Sequence, residues 1–355
     1  MKRTTPFFLL AVSLGLITGC DPARTEEAAR QSPCRIEKIV ATAQSDLSSQ
    51  QDETRFAYNA EGNLAQKTFR RNLTYPSGIG NQLYTVTEAH TYNASGFLTA
   101  STTETAEQTT RPDRTVSTSK RLSSTTYAYT DGLLTRYETR DQNPYGVVTR
   151  STVVLTYDTK GELLTKTDTR TVEAVPTEAP EKPSASTPGQ RIWTYQNGQL
   201  IDYVEKNETA ESRPLTLQNG LVTKMVIPGG YTQQNTYDSQ QRLIKSEEFV
   251  NNKLTGYYTQ EWSNAKPAVS TLPVLKGHPV TLPEFGETGV LARYNPYAMN
   301  SQTNAAQHLS EKTSTPTINA QGLVESTTGE LRLLHPDAQP QRTVLTETYT
   351  YSNCQ

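Results

Sequence analysis

The side chains that carry most enzyme chemistry are few and scattered in this chain. The four histidines are His90, His278, His308 and His335. His90 stands in strand-like text and reads as a half-exposed strand residue. His278 and His335 each precede a proline in loop-like text. His335-Pro-Asp337 could set an imidazole beside a carboxylate, or it is a solvated turn. There is no Gly-x-Ser-x-Gly elbow, no His-Glu-x-x-His, no phosphate-cradling glycine loop and no Cys-x-x-Cys. Glu26-Glu27 and Glu247-Glu248 are adjacent, so a strand or helix aims them apart and a solvated face suits them better than acid–base work. Arg70-Arg71 and Lys120-Arg121 are too small to form a nucleic-acid stripe, and a formal net charge of −2 supplies no global field. The expectation is a protein that is not an enzyme, needs no cofactor or metal and binds no nucleic acid. Trp193, Tyr257, Tyr258 and Trp262 could line a platform for the apolar face of a sugar. The alternative for them is cross-strand packing.

Three cysteines complete the reactive inventory. Met1-Lys2-Arg3 is a short basic start, and Pro6 to Ile17 is an apolar run too short for a comfortable membrane span. Ile17-Thr18-Gly19-Cys20 follows, and this segment resembles a bacterial lipobox. The resemblance implies that residues 1–19 are a signal peptide and that Cys20 takes a diacylglyceryl group. It implies an exported chain held on a membrane by lipid, with the outer membrane, on its periplasmic or surface face, as the expected place. Asp21 resembles the retention residue of inner-membrane lipoproteins in enteric bacteria and keeps that alternative open. Residues 20–33 are polar, with two prolines, and read as a tether. With Cys20 assigned to lipid, Cys34 and Cys354 remain, and an oxidising compartment favours a disulfide between them. Such a bridge would set the first strand (35–41) beside the last (343–351) as antiparallel neighbours. Two free thiols far apart are the alternative.

One pattern then runs the length of the chain: Tyr, a turn-former, one or two polar residues, Gly, any residue, an aliphatic. Tyr58 leads to Gly62 and Leu64, Tyr92 to Gly96 and Leu98, and Tyr157 to Gly161 and Leu163. Tyr129 with Gly132 and Tyr195 with Gly198 are one residue shorter, and Tyr237 has Gln241 where the glycine would stand. Weaker copies lie at Leu217–Gly220 and Ile318–Gly322. Each copy predicts a β-hairpin: Asn or Asp starts the turn, Gly takes the positive-φ position, and the aliphatic opens the return strand. With 55 threonines and 19 tyrosines the composition suits strands rather than helices. Only 34% of the chain is hydrophobic, which argues against a thick core.

These copies resemble YD (RHS-type) repeats. The lipobox, the Cys-aliphatic first strand and the terminal Asn-Cys together resemble uncharacterised lipoproteins common in Bacteroidetes. Only Tyr157 and Tyr237 are followed by Asp, and the Tyr-to-Tyr steps are uneven, so no toxin-enclosing shell is implied.

The fold expected is all-β: a large, curved, antiparallel meander of long hairpins, near closure as a half-barrel. It forms a single domain over 34–354, with its apolar residues near the Tyr–Gly turns. From Leu98 to Tyr129, two strands of about 14 residues turn near Arg111–Arg114 and reach about 45 Å each. Residues 171–190 read as a proline-rich mobile loop. Residues 263–312 read as an irregular insertion, with a short helix within 292–308. The function expected is a non-catalytic structural or binding module of the envelope, with a glycan or an envelope protein as partner. A lipid or lipoprotein carrier and a cryptic hydrolase are the alternatives.

Overall fold

In the computed structural model, the described residues are 34–45, 48–75, 80–174, 189–207, 210–227, 229–263, 291–299, 306–334 and 341–352. They form strands and no helix. In chain order these are β1 (Arg35–Gln44), β2 (Ser49–Tyr58), β3 (Leu64–Tyr75), β4 (Gly80–Tyr92), β5 (Leu98–Thr110), β6 (Val116–Thr130), β7 (Leu133–Gln142), β8 (Val148–Tyr157), β9 (Leu163–Ala174), β10 (Gln190–Gln196) and β11 (Gln199–Lys206). There follow β12 (Glu211–Ser212), β13 (Leu215–Gln218), β14 (Leu221–Ile227), β15 (Tyr231–Tyr237), β16 (Leu243–Val250), β17 (Lys253–Trp262), β18 (Leu291–Met299), β19 (Ala306–His308), β20 (Ser310–Ile318), β21 (Val324–Leu333) and β22 (Gln341–Ser352).

The strands make one antiparallel meander. β22 returns to pair with β1, Arg35 opposite Ser352 and Ile39 opposite Tyr349, so the sheet curls back toward its start. It is not closed. Among the described residues no ladder joins β11 or β12 to β13.

The repeat turns all lie at one end, where β1 also starts and β22 finishes. In the five-residue turns an Asx side chain organises the reversal: the Asn59 carboxamide accepts the Asn63 N–H at 2.8 Å, and the Asp158 carboxylate accepts those of Lys160 and Glu162, both at 2.8 Å. Gly62 and Gly161 follow at φ 84° and 83°. The short copies are two-residue turns with both φ values positive, as at Asp131-Gly132 (52° and 80°) and Asn197-Gly198 (49° and 73°). Gln241 holds φ 63° without being glycine. The turn Asn143–Val147, at the opposite end, uses the same Asx geometry with Gly146 at φ 78°. Its lack of a leading tyrosine hides it from the repeat pattern.

At the turn end strand ladders stop short, and six tyrosines and one tryptophan supply the missing donor. The β3–β4 ladder begins at Gln66 opposite Ala89, which leaves the Leu64 carbonyl without a backbone donor. The Tyr92 hydroxyl donates to it at 2.8 Å. Tyr58 donates to Ile36 O at 2.7 Å, Tyr129 to Leu98 O at 2.8 Å, Tyr157 to Leu134 O at 2.6 Å, Tyr237 to Val222 O at 2.9 Å and Tyr351 to Val324 O at 2.6 Å. The Trp262 indole N–H replaces a hydroxyl and donates to Leu243 O at 2.7 Å. A register shift immediately before most of these rings produces the mismatch. The same end holds the core, with Ile36, Leu98, Leu134 and Val324 almost wholly buried. Tyr127, Tyr129, Tyr137 and Tyr157 pack around Leu134, Val153 and Leu155.

Elsewhere the sheet is polar. The less exposed face, the inner one, carries the bidentate Asp52–Arg71 pair (2.8 Å at its shorter contact) beside Lys67–Glu88 at 3.1 Å. The outer face of β7–β9 carries a network in which Arg150 contacts Glu138 and Glu173, Arg140 contacts Glu173 and Arg136 contacts Glu138. Both faces there meet water.

The long hairpin is as expected, with β5 and β6 flanking a turn at Arg111–Thr115. Two expectations need correction. The segment 263–312 contains β18, β19 and the start of β20; the described residues of the stretch 292–308, where a short helix is expected, are strand, while 300–305 lie outside the described residues. Pro296 sits in β18, where it needs only to accept, from the Leu309 N–H at 3.0 Å. Residues 171–174 of the proline-rich loop belong to β9, with Thr171 opposite Arg150. At its other end Gln190 opens β10, opposite Thr169; residues 175–188 lie outside the described residues, as do the signal segment and tether.

Two outcomes test the latch. Tyr129→Phe or Tyr157→Phe removes only a donor and should cost about 1–2 kcal/mol in denaturant unfolding, since a buried carbonyl is left unpaired. Burial pushes the Tyr58, Tyr92, Tyr157 and Tyr351 hydroxyls up to about 12 and raises Tyr129 further. An unfolded tyrosine ionises near pH 10. The stability these groups contribute is therefore full below pH 10 and is lost as pH rises from about 10 to about 12, which circular dichroism with phenolate absorbance should show as one coincident transition. Separately, Gln241→Gly should raise stability by about 0.5–1 kcal/mol by relieving the left-handed backbone.

Candidate binding groove

The inner face over β6–β10 forms a groove of about 450 Å³. Register brings its residues together. Ser123 of β6 lies opposite Asp141 of β7, Thr139 opposite Ser151 of β8, and Val153 opposite Asp168 of β9. Asp168 then faces Arg191 of β10, and Lys166 faces Trp193. Trp193 faces Tyr203 of β11.

Charged pairs organise the floor. Arg121 binds Asp141 through two contacts, Nε to Oδ1 at 2.8 Å and Nη2 to Oδ2. Asp168 is 5% exposed and accepts from the Ser151 hydroxyl and from Arg170 Nε, the latter at 3.1 Å. Arg191 Nε stands 3.5 Å from Glu205, whose carboxylate also accepts the Tyr203 hydroxyl at 2.6 Å. The Lys166 ammonium lies 4.5 Å from the centre of the Trp193 ring, and Tyr203 meets the same ring at 5.1 Å. Four cations, Arg121, Lys166, Arg170 and Arg191, line the groove against Asp141 and Asp168. Hydroxyls of Ser123, Thr139, Thr149 and Ser151 stand between them. Such a surface can hydrogen-bond sugar hydroxyls and attract carboxylate or sulfate groups. Ser151 has a carboxylate beside it, and among the described residues no histidine lines the groove.

The four aromatic residues considered as a platform are not brought together. Trp193 lies in the groove. Tyr257 and Tyr258 are consecutive on β17 and so face opposite sides. Tyr257 stacks on Tyr297 at 4.5 Å and 12°, and Tyr297 stacks on His308 at 4.5 Å, whereas Tyr258 meets Tyr294 on the inner face. Trp262 serves as a latch. His90 lies on inner-face β4, its Nδ1 buried without a partner and its pKa lowered by desolvation. His308 is on the other face, and His278 and His335 lie outside the described residues. Glu247 pairs with Lys245 at 2.8 Å, while neighbouring Glu248 points to the opposite side. Cys34 is 1% exposed and disulfide-bonded. Cys20 and Cys354 lie outside the described residues. The repeat residues Gly96, Gly132 and Gly198 are at bends with positive φ, as are Gly62 and Gly161. Tyr195 is the penultimate residue of β10 and is buried.

The groove escapes sequence reading because its lining comes from five strands. Asp168 and Arg170 alternate on one strand and could be placed on one face. Their meeting with Ser151 and Arg191 depends on turn lengths and bulges.

No family model matches the chain, and no curated protein matches it. Among solved structures it is similar to a porin-like protein from Bacteroides uniformis ATCC 8492, at 14% identity and a TM-score of 0.35, over 89% of this chain and 96% of that one.

Asp168→Ala should destabilise the protein by about 2 kcal/mol, because the serine and guanidinium that it accepts from lose a buried charged partner. Arg191→Ala, at a half-exposed ion pair, should stay within about 0.5 kcal/mol of the parent. Urea midpoints at pH 7 check both.

Proposed function

We propose that this is a lipid-anchored, non-catalytic envelope protein whose inner groove binds a glycan. The groove over β6–β10 carries this reading: hydroxyls, guanidinium–carboxylate pairs and an excess of positive charge line it, with an indole at its edge. The lipid-carrier alternative calls for an aliphatic cavity, whereas the inner face presents Asp52, Lys67, Arg71, Glu88, Arg121, Asp141 and Asp168. The hydrolase alternative calls for convergent acid–base groups, and His90 and His308 occupy opposite faces.

Attachment through Cys20 rests on the lipobox resemblance. It suits a sheet whose outer face carries the Arg136–Glu138–Arg150–Glu173–Arg140 network, since a strand barrel in lipid presents an apolar band outward. The tether from Cys20 reaches at most roughly 50 Å before Cys34. The Tyr–Gly end is then the membrane-proximal end, and the long hairpins point away. A bridge from Cys34 to Cys354 is supported by the burial of Cys34 and by the pairing of Arg35 with Ser352.

Metabolic labelling with an alkyne fatty acid should mark the parent and fail to mark Cys20→Ser, which should leave the membrane fraction. A glycan array probed with the soluble domain should retain acidic glycans, and Arg191→Ala should weaken retention severalfold. An array with no retained glycan would remove the binding reading and leave the anchor reading standing.

A further inference from the structure

The ring of strands is interrupted where the tyrosine latch is missing. β11 pairs fully with β10, but its other edge meets only the two residues of β12, Glu205 opposite Ser212 and Lys206 opposite Glu211. Pro214 then intervenes, and β13 pairs with β14 alone, with the Pro214 carbonyl accepting from the Val226 N–H at 2.7 Å. In effect a single strand changes partner at Arg213-Pro214. The repeat position that should close the gap is Leu217, where the strong copies have tyrosine. By the geometry of the other latches, the hydroxyl of a tyrosine at that position would serve the Leu200 carbonyl. The second copy without tyrosine, Ile318, ends β20, and the β18–β20 junction is also short, holding only Arg293 opposite Thr313 and Tyr294 opposite Lys312. Across the β11 junction, Arg213 reaches Asp202 at 3.5 Å, a half-exposed contact that contributes little. The interruption borders the groove, since Tyr203 of β11 packs on Trp193 and Arg191 faces Glu205.

We propose that the β11–β13 junction is a side entrance to the groove, and that the groove accordingly takes a chain-shaped anionic glycan, laid in laterally, rather than a small sugar. This rests on the glycan reading given above. A polymer threads poorly through the end of a curled sheet, whereas a seam without a ladder lets an inner chain segment enter without its ends. Leu217 and Pro214 are the residues that keep the seam unlatched.

Amide hydrogen exchange on the whole exported domain reads the seam without any ligand. The amides of Gln199–Val204 and Leu215–Gln218 should exchange about tenfold or more faster than those at the centres of β3 and β4, and Leu217→Tyr should slow them by a similar factor. Pro214→Val, which returns a backbone donor, is the second closing variant. Polygalacturonate and a galacturonate trimer are the binding probes. The closed variant should lose about tenfold in association rate for the polymer and keep the parent rate for the trimer. Parent seam amides as protected as β3 and β4, exchange unchanged in both variants, or an unchanged polymer rate in a closed variant would each overturn the side entrance and leave the groove reading intact. A parent protein that binds neither probe would overturn both.

Discussion

A carbonyl buried at the end of a β-ladder must find a donor or lose about 1–3 kcal/mol. In this sheet that constraint recurs strand after strand, because the bulge before each turn stops the ladder short of the first residue of the return strand. The tyrosine hydroxyl, carried over the gap by a rigid ring, meets the carbonyl while the ring itself covers the aliphatic residues beneath. One side chain thus satisfies a polar group and builds the core. Trp262 shows that the requirement is for a donor at that reach rather than for phenol chemistry.

Concentrating the core at the latched end explains how so polar a chain folds. Away from it the strands hold together by ladder hydrogen bonds and by cross-strand pairs such as Asp52–Arg71 and Arg121–Asp141. These pairs require water on at least one side. They give the inner face a charged floor in place of an aliphatic one.

Much of the fold is legible in the sequence because tyrosine, Asx and glycine have local jobs. The positive-φ glycines, the two-residue turns at Asp131-Gly132 and Asn197-Gly198 and the long β5–β6 hairpin follow from local chemistry alone. The opposed faces of Tyr257 and Tyr258 follow from strand parity. The donor roles of the tyrosines are not legible, because each acceptor belongs to another strand. The groove is hidden for the same reason: Ser151, Asp168 and Arg191 meet only once three turns and the bulges between them have set the register. Pro296 fits within a strand because a proline is a breaker only where its missing N–H is wanted.

Each latched unit leaves the turn end, runs outward and comes home to the same end. Such a unit can be duplicated or deleted without reversing the direction of anything after it, so the girth of the sheet can change in steps of two strands while its first and last strands stay neighbours. Uneven hairpin lengths are then a freedom of the distal rim. Lineages of this architecture should differ in circumference and rim height far more readily than in the composition of the latched floor.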